Sequence, residues 1–266
     1  MAYYSPPRMV DCFDVSVIYK LSSNPHMNQD AAQNIDEIKL LLTDPHECSY
    51  LSNHQAITGF VDPELAINNA LYGRLTALGF RRSGPYLYSP FCSDCKACVP
   101  ARIPVVEFKP NRSQKRCLRR NADVQVVEVD CIDFDEHYPM YEDYIVNRHQ
   151  GGDMYPPSKT QFNQFLGSTW DCSRFLELRV DNKLIGCAVV DYLPHALSAI
   201  YTYFDPLESV RGLGNLAVLL QIDLARSLSM DYLYLGYWIA DCQKMRYKTN
   251  YQPIELLQEN IWRLHE

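Results

Sequence analysis

The chain has 266 residues and a formal net charge of −7 at pH 7, with 47% hydrophobic and 12% aromatic residues. These are globular values, which exclude a disordered chain and leave length for a sizeable core. The acidic balance excludes a protein that coats nucleic acid with its whole surface, so any RNA contact has to come from a local basic patch.

Residues 1–30 are expected to form a weakly ordered leader, interrupted by Pro6, Pro7 and a polar stretch at 22–28. The apolar run at 15–18 is too short, and too acidic upstream, for a secretory signal. Residues 31–42 (AAQNIDEIKLLL) have helical spacing, stopped at 43–45. HECSYL (46–51) reads as extended. Residues 62–78 form an amphipathic helix with Pro63 in its first turn. Residues 80–88 read as a strand broken by a turn at 83–85, and 101–108 alternate like a strand. A helix follows over 109–121, a strand over 124–129, a helix over 138–149, a break at 151–157 and a helix from 159 to 166. The last hundred residues give strands at 175–180, 184–192, 196–204 and 232–235, and a long helix over 213–228. The class is α+β, a twisted sheet with helices packed on it. The predicted division is a smaller cysteine-containing domain at 31–108 and a second domain at 109–266.

No stretch reaches the roughly 20 apolar residues of a membrane span, so no membrane partner is expected and a reducing cytoplasm is the predicted compartment. There, ten cysteines point to metal or catalysis sooner than to disulfides. Cys92, Cys95 and Cys98 stand at C-x2-C-x2-C, a spacing at which thiolates reach one zinc ion or iron–sulfur cluster from a tight loop. Cys48 is the first candidate for a fourth ligand and His46 the second. The alternative is a cysteine-rich, partly buried loop that binds nothing.

Lys109, Arg112, Lys115, Arg116, Arg119 and Arg120 fall within twelve residues that contain no acid. From Arg112 onward the spacing puts five cations on one broad helix face, repulsive to itself and attractive to phosphates. Further on, Arg148 and His149 close a helix before Gly151-Gly152. That position suits either the helix dipole or a ligand site. Arg211-Gly-Leu-Gly214, between the strand AIYTYF and a long helix, offers backbone N–H groups to an anion. It is similar to a shortened pyrophosphate loop of the GNAT acyltransferases.

The segment YSPFCSDCKACVPARIPVVEFKPNRSQKRCLRRN resembles the bacterial members of the arginyl-tRNA–protein transferase family, and HECSYL, DMYPPSKTQF, YTYFDP and LYLGYWIADCQKMRYK resemble further motifs in the same order. The resemblance runs from about residue 35 to about residue 253. It implies a GNAT-like fold in the C-terminal part. It also implies a reaction in which leucine passes from leucyl-tRNA to acceptor proteins beginning with Asp or Glu, giving a destabilising N-terminus read by the N-degron route. Where relatives carry two cysteines in the first motif, this chain has Cys48 and then Leu51. No cofactor is required, because the ester on tRNA is already activated; a structural zinc or iron–sulfur centre is the only one considered.

On that resemblance the catalytic candidates are Tyr201, Tyr203, Asp205 and Arg148, with the backbone of 200–204 holding the oxyanion. The substrate-binding candidates are His149, Met154, Tyr155, Tyr234, Tyr237, Lys244, Tyr247 and Lys248, with Arg81 and Arg82 as alternatives to Arg148 for an acidic side chain. For tRNA they are Arg102, Arg112, Ser113, Gln114, Lys115, Arg116, Arg119, Arg120, Gly212 and Gly214. An arginyl donor, an acetyl-CoA acetyltransferase and a noncatalytic zinc-containing RNA-binding protein are the rival readings.

Overall fold

The computed structural model describes residues 15–21, 36–152, 154–167 and 170–265. Its first elements are β1 (Val15–Lys20), β2 (Glu37–Leu42), β3 (His46–Glu47), β4 (Gln55–Ala56), β5 (Thr58–Val61) and α1 (Asn69–Ala77). Next come β6 (Arg81–Ser83), β7 (Tyr86–Pro90), β8 (Val99–Pro104), α2 (Arg112–Arg120), β9 (Gln125–Val129), α3 (Phe134–Arg148) and α4 (Lys159–Leu166). The rest are β10 (Ser173–Val180), β11 (Lys183–Leu193), β12 (Ala196–Phe204), α5 (Leu213–Ser227), β13 (Tyr232–Trp238), α6 (Gln243–Arg246), β14 (Glu255–Gln258) and β15 (Ile261–Leu264).

Two sheets carry the fold. The larger has the order β15-β14-β8-β13-β12-β11-β10-β9, the smaller β1-β2-β5-β7-β6, and β3 pairs with β4. Helix α5 covers one face of the larger sheet. Its Leu213, Leu216, Leu219 and Ile222 recur at three-residue steps and pack against Leu178, Val190, Leu197 and Leu233. The other face lies under α3 and α4, whose Tyr141, Tyr144, Ile145 and Phe162 meet Val189, Ile200, Tyr201 and Tyr203. The Tyr141 and Phe162 rings stand 4.8 Å apart, edge to face, an arrangement that adds about 0.5–1.5 kcal/mol beyond burial.

Four expectations change. The helix predicted over 31–42 is a strand where it is described: in β2, Ile38 and Leu40 are buried while Glu37 and Lys39 are exposed, which is a period of two. Residues 31–35 lie outside the described residues, as does most of the 1–30 leader; its residues 15–20 form β1, paired antiparallel with β2. The helix predicted from 62 starts at Asn69, because the Asn68 side chain caps it by accepting the Leu71 N–H at 2.8 Å. The division at 108/109 does not fall between sheets. Strand β8 pairs with both β13 and β14 in the middle of the larger sheet, and its Ala101 and Ile103 belong to the same core as α5.

The smaller sheet is fastened to the larger by buried polar groups. Arg82 grips Asp191 through Nε at 2.6 Å and Nη2 at 2.9 Å, while Tyr72 and Ser173 hydroxyls donate to the same carboxylate, each at 2.6 Å. Burial alone would raise the Asp191 pKa, but the Arg82 charge and these donors together pull it below its ordinary value.

One irregularity shapes the sheet centre. β12 and β13 run parallel and pair only at Ala196↔Tyr232, Leu197↔Leu233 and Ser198↔Tyr234, after which β12 continues for six residues with no β13 residue opposite. At that divergence the register of β12 with β11 also slips, leaving Ile200 as an extra residue between Ala199 and Tyr201.

Candidate functional site

A cavity of about 640 Å³ opens beside the far end of β12, a volume ordinary for a small-molecule site. Five pieces of chain wall it: the start of α2 (Asn111, Ser113, Gln114), the end of α3 (Tyr144, Arg148, His149), Phe204 closing β12, the start of α5 (Gly214, Asn215), and Lys244, Tyr247, Asn250 and Tyr251.

Each wall has a local cause. Asn111 and Gln114 form a reciprocal capping box, Asn111 accepting the Ser113 and Gln114 N–H groups and Gln114 Oε1 accepting the Asn111 N–H. The Gln114 amide then donates to the Asn250 carbonyl at 3.1 Å, joining α2 to the opposite wall. Helix α5 is entered through Gly212 at φ +69°, a left-handed conformation that favours glycine, and no side chain caps it. Within its first turn the Asn215 N–H donates to the Gly212 carbonyl at 3.0 Å, and among the described residues no side chain serves the N–H groups of Leu213 and Gly214. At Gly214 a β-carbon would stand 3.4 Å from the Phe204 ring, so glycine keeps this wall open.

No acid lines the cavity among the described residues, whereas Arg148 and Lys244 do. The Arg148 guanidinium lies 5.7 Å from the centroid of the Phe204 ring. His149 is only 7% exposed, and its Nε2 is buried with no partner among the described residues. Burial above all pushes its pKa down, to about 4, with the Lys244 and Arg148 charges among the lesser causes, so the imidazole is neutral at pH 7.

Outside the cavity, Arg112, Lys115, Arg116, Arg119 and Arg120 are all exposed on α2. The first four form no ion pair among the described residues, and Arg120 donates to the Val210 carbonyl. Gln114 and Cys117, on the opposite face, are buried. One helix therefore lends its first turn to the cavity and a row of unpaired cations to solvent.

Several candidates sit elsewhere, each for a visible reason. Tyr201 and Tyr203 are buried in the aromatic core under α3. The Tyr203 hydroxyl meets His137 Nδ1 at 2.6 Å, and His137 Nε2 meets Glu177 at 3.0 Å. Since the carboxylate only accepts, Nε2 donates to it and Nδ1 accepts from the phenol. Asp205 pairs with Lys183 at 3.1 Å and accepts the Leu207 N–H. Arg81 donates to the Ser198 hydroxyl and the Ala199 carbonyl where β12 and β13 part, and Arg82 is held by Asp191. Arg102 pairs with Glu255 at 2.6 Å, its guanidinium 3.6 Å from the Tyr232 ring centroid and 4.3 Å from that of Trp262. Tyr234 and Tyr237 are buried, the latter donating to the Gly79 carbonyl. Met154 is buried against the Tyr201 hydroxyl, and Tyr155 faces solvent. Lys248 is buried, and among the described residues only Met245 Sδ is within hydrogen-bonding reach, at 3.5 Å. Gly212 stands just outside the lining.

Asn111, Tyr144, Asn215, Asn250 and Tyr251 line the cavity outside the expected site residues, and Phe204 does so from the strand expected to hold the oxyanion. The N-x-x-Q of the capping box was the one available signal, since it marks where α2 starts.

The thiols of Cys48, Cys92, Cys95 and, from the other end of the chain, Cys242 lie within electrostatic reach of Cys98. Burial first, then these neighbours, push the Cys98 thiol up to about 12. His46, the second candidate for a fourth ligand, has Nδ1 3.0 Å from the Asp44 carbonyl. Among the described residues no three His, Cys, Asp or Glu side chains are arranged to hold a metal ion. The donor types suit a soft metal, but as placed they do not form a ligand set, and no step below is routed through one.

The arginine-tRNA-protein transferase family matches this chain twice, its N-terminal part over residues 46–116 and its C-terminal part over 136–258. The chain is 51% identical to a protein of Saccharophagus degradans named aspartate/glutamate leucyltransferase, over 86% of this chain and 98% of that one. It is 50% identical to a protein of the same name from Teredinibacter turnerae, over 85% and 93%. Among solved structures, the C-terminal domain of a putative lysylphosphatidylglycerol synthetase from Agrobacterium fabrum is 14% identical with a TM-score of 0.41, over 64% of this chain and 52% of that one. The ribosomal-protein-S18-alanine N-acetyltransferase of Escherichia coli is 15% identical with a TM-score of 0.30, over 41% and 64%. These two likenesses are too slight to argue from.

Proposed function

The chain belongs to the arginine-tRNA-protein transferase family and is an aminoacyl-tRNA–protein transferase, and from that premise we propose that it moves leucine from leucyl-tRNA to the N-terminal Asp or Glu of acceptor proteins. The observation that carries the reading is the double use of α2. A nucleic-acid backbone following its unpaired cations is led to the cavity that the same helix opens. The product's leucine would be a destabilising N-terminus for cytoplasmic N-degron degradation. No helix among the described residues is long and apolar enough to cross a membrane.

The larger sheet is read as GNAT-like. Support comes from the parting of β12 and β13, the extra residue at Ile200, and the glycine turn leading into α5. The acceptor's α-amine, with a pKa of roughly 8, attacks the leucyl ester carbonyl as the free base. A tetrahedral oxyanion forms and collapses. The C–O bond to the terminal ribose breaks, an amide bond replaces it, and the amine's proton leaves to solvent as the ribose oxygen takes one up. Most of the acceleration comes from positioning, with backbone N–H groups on the unpaired side of β12 receiving the oxyanion. The buried Tyr201 and Tyr203 thus contribute backbone and core, not phenol chemistry. The start of α5 holds a phosphate of the acceptor end, and Arg148 faces the acidic side chain. The transfer draws on no cofactor. One equivalent of zinc or iron in the purified protein would establish a structural centre at the cysteines.

Replacing Arg112, Lys115, Arg116 and Arg119 together by Ala tests this geometry. The expected result is a higher KM for leucyl-tRNA and a salt dependence flattened by about three to four in log–log slope. An unchanged slope would contradict it.

A further inference from the structure

The cavity contains one group that the reading above leaves without work. His149 Nε2 is buried, lacks a partner among the described residues, and belongs to a side chain in the cavity wall. A buried unpaired nitrogen costs free energy unless something in the working complex satisfies it. The His149 ring is 5.1 Å from that of Tyr144, and the Tyr144 ring is 4.8 Å from that of Phe204, the last residue of β12. His149 therefore sits one aromatic layer from the strand end where the transfer is placed.

We propose that His149 is the residue that selects a hydrogen-bond-accepting first side chain over an apolar one, its Nε2–H donating to the acceptor's carboxylate while Arg148 and Lys244 supply the charge that favours an acid. The assignment rests on the reading of this cavity as the transfer site. Three observations favour a carboxylate. The described lining has two cations and no acid, which repels an ammonium and attracts an anion. The imidazole is held neutral by burial and by those same cations, so it has one N–H to give, and a carboxylate only accepts. In an N-terminal aspartate the carboxylate is two carbons from the reacting amine, so an anion held at His149 leaves that amine near Phe204. A tRNA phosphate at His149 is the weaker candidate, because the reading above seats the acceptor-end phosphate at the start of α5, on another wall of the cavity.

The division of labour is specific. Arg148 and Lys244 separate Asp from the uncharged Asn. His149 separates a polar side chain from an apolar one, since an N-terminal Ala would leave Nε2 unsatisfied. The test measures kcat and KM for peptides beginning with Asp, Asn and Ala, and KM for the aminoacyl-tRNA, in the full-length wild type, His149→Phe and His149→Gln. The expected result is a tenfold to hundredfold drop in the Asp-over-Ala ratio of kcat/KM for His149→Phe. Much of that ratio returns in His149→Gln, whose amide keeps a neutral donor. In Arg148→Gln the Asp-over-Asn ratio falls instead. A wild-type ratio in both His149 variants, an equal loss for all three peptides, or a change confined to KM for the tRNA overturns the assignment, the last by showing that the anion is a phosphate. Transfer by the wild type is the control: while it is present, these results bear on His149 alone and not on the proposed reaction.

Discussion

Arg81, Arg82, Arg102 and Lys248 are enclosed by protein, whereas Arg148, Lys244 and four cations along α2 face the cavity or solvent with no acid paired to them among the described residues. All carry the same formal charge in the sequence. The enclosed arginines spend hydrogen bonds inside the fold, on Asp191, Glu255, Ser198 and backbone carbonyls. The open group has its charge unspent. What a cation can do is decided by what surrounds it, and the surroundings are set by residues a hundred or more positions away.

The largest expected effect comes from breaking an enclosed pair. Arg82→Met should destabilise the protein by about 3–5 kcal/mol, because Asp191 is left buried and unpaired. Chemical denaturation would show this, and the folded fraction should keep its acceptor preference. Loss of preference in folded protein would blur the distinction between the two groups.

Lys248 tests the same comparison through pH. Burial, then the nearby Arg81 charge, lower its pKa from the ordinary 10.5 to about 7. Between those values the unfolded chain binds more protons than the folded one, so stability rises as pH climbs from about 7 to 10.5. Lys248→Met should be more stable than wild type at pH 7, and its stability should lack that rise. Melting curves at pH 7, 8.5 and 10 check it; a destabilised variant with a lower rate would return Lys248 to the site.

The same linkage acts on His149 from the other side. Its pKa is lowered to about 4, so stability falls as pH drops from about 6.5 to 4, where the unfolded imidazole is already protonated. His149→Phe should remove that part of the acid sensitivity, read by denaturation at pH 7 and 5; an unaltered acid slope would contradict the burial of the ring. The smallest effect is expected at Asn111, which shapes the cavity wall only through its cap. Asn111→Ala should cost about 1 kcal/mol and modestly raise KM for the tRNA.

The elements that a short sequence window can specify were legible. Helix α5 and strands β10 to β12 repeat their apolar residues at their own periods, and α2 declared itself by charge spacing. The helical pattern of AAQNIDEIKLLL spans twelve residues, but its last six form β2, paired along their length with β1 and from Leu40 on with β5, a pairing no local window shows. The resemblance located the family. It could not separate Arg148 from Arg82, since Asp191 lies 109 residues from its partner. Nor could it show that Tyr201 and Tyr203 point into the core, because Ile200 interrupts the alternation on which side-chain direction depends. The cavity itself joins five separate pieces of chain, and no local pattern encodes that meeting.

The most direct measurement is a transfer assay in which labelled leucyl-tRNA and arginyl-tRNA are each offered with peptides beginning with Asp, Glu, Ala or Lys. The account predicts transfer from leucyl-tRNA to the Asp and Glu peptides, with little to Ala or Lys. Arginine transfer to the same peptides would move the donor assignment, and no transfer from either tRNA would contradict the central claim.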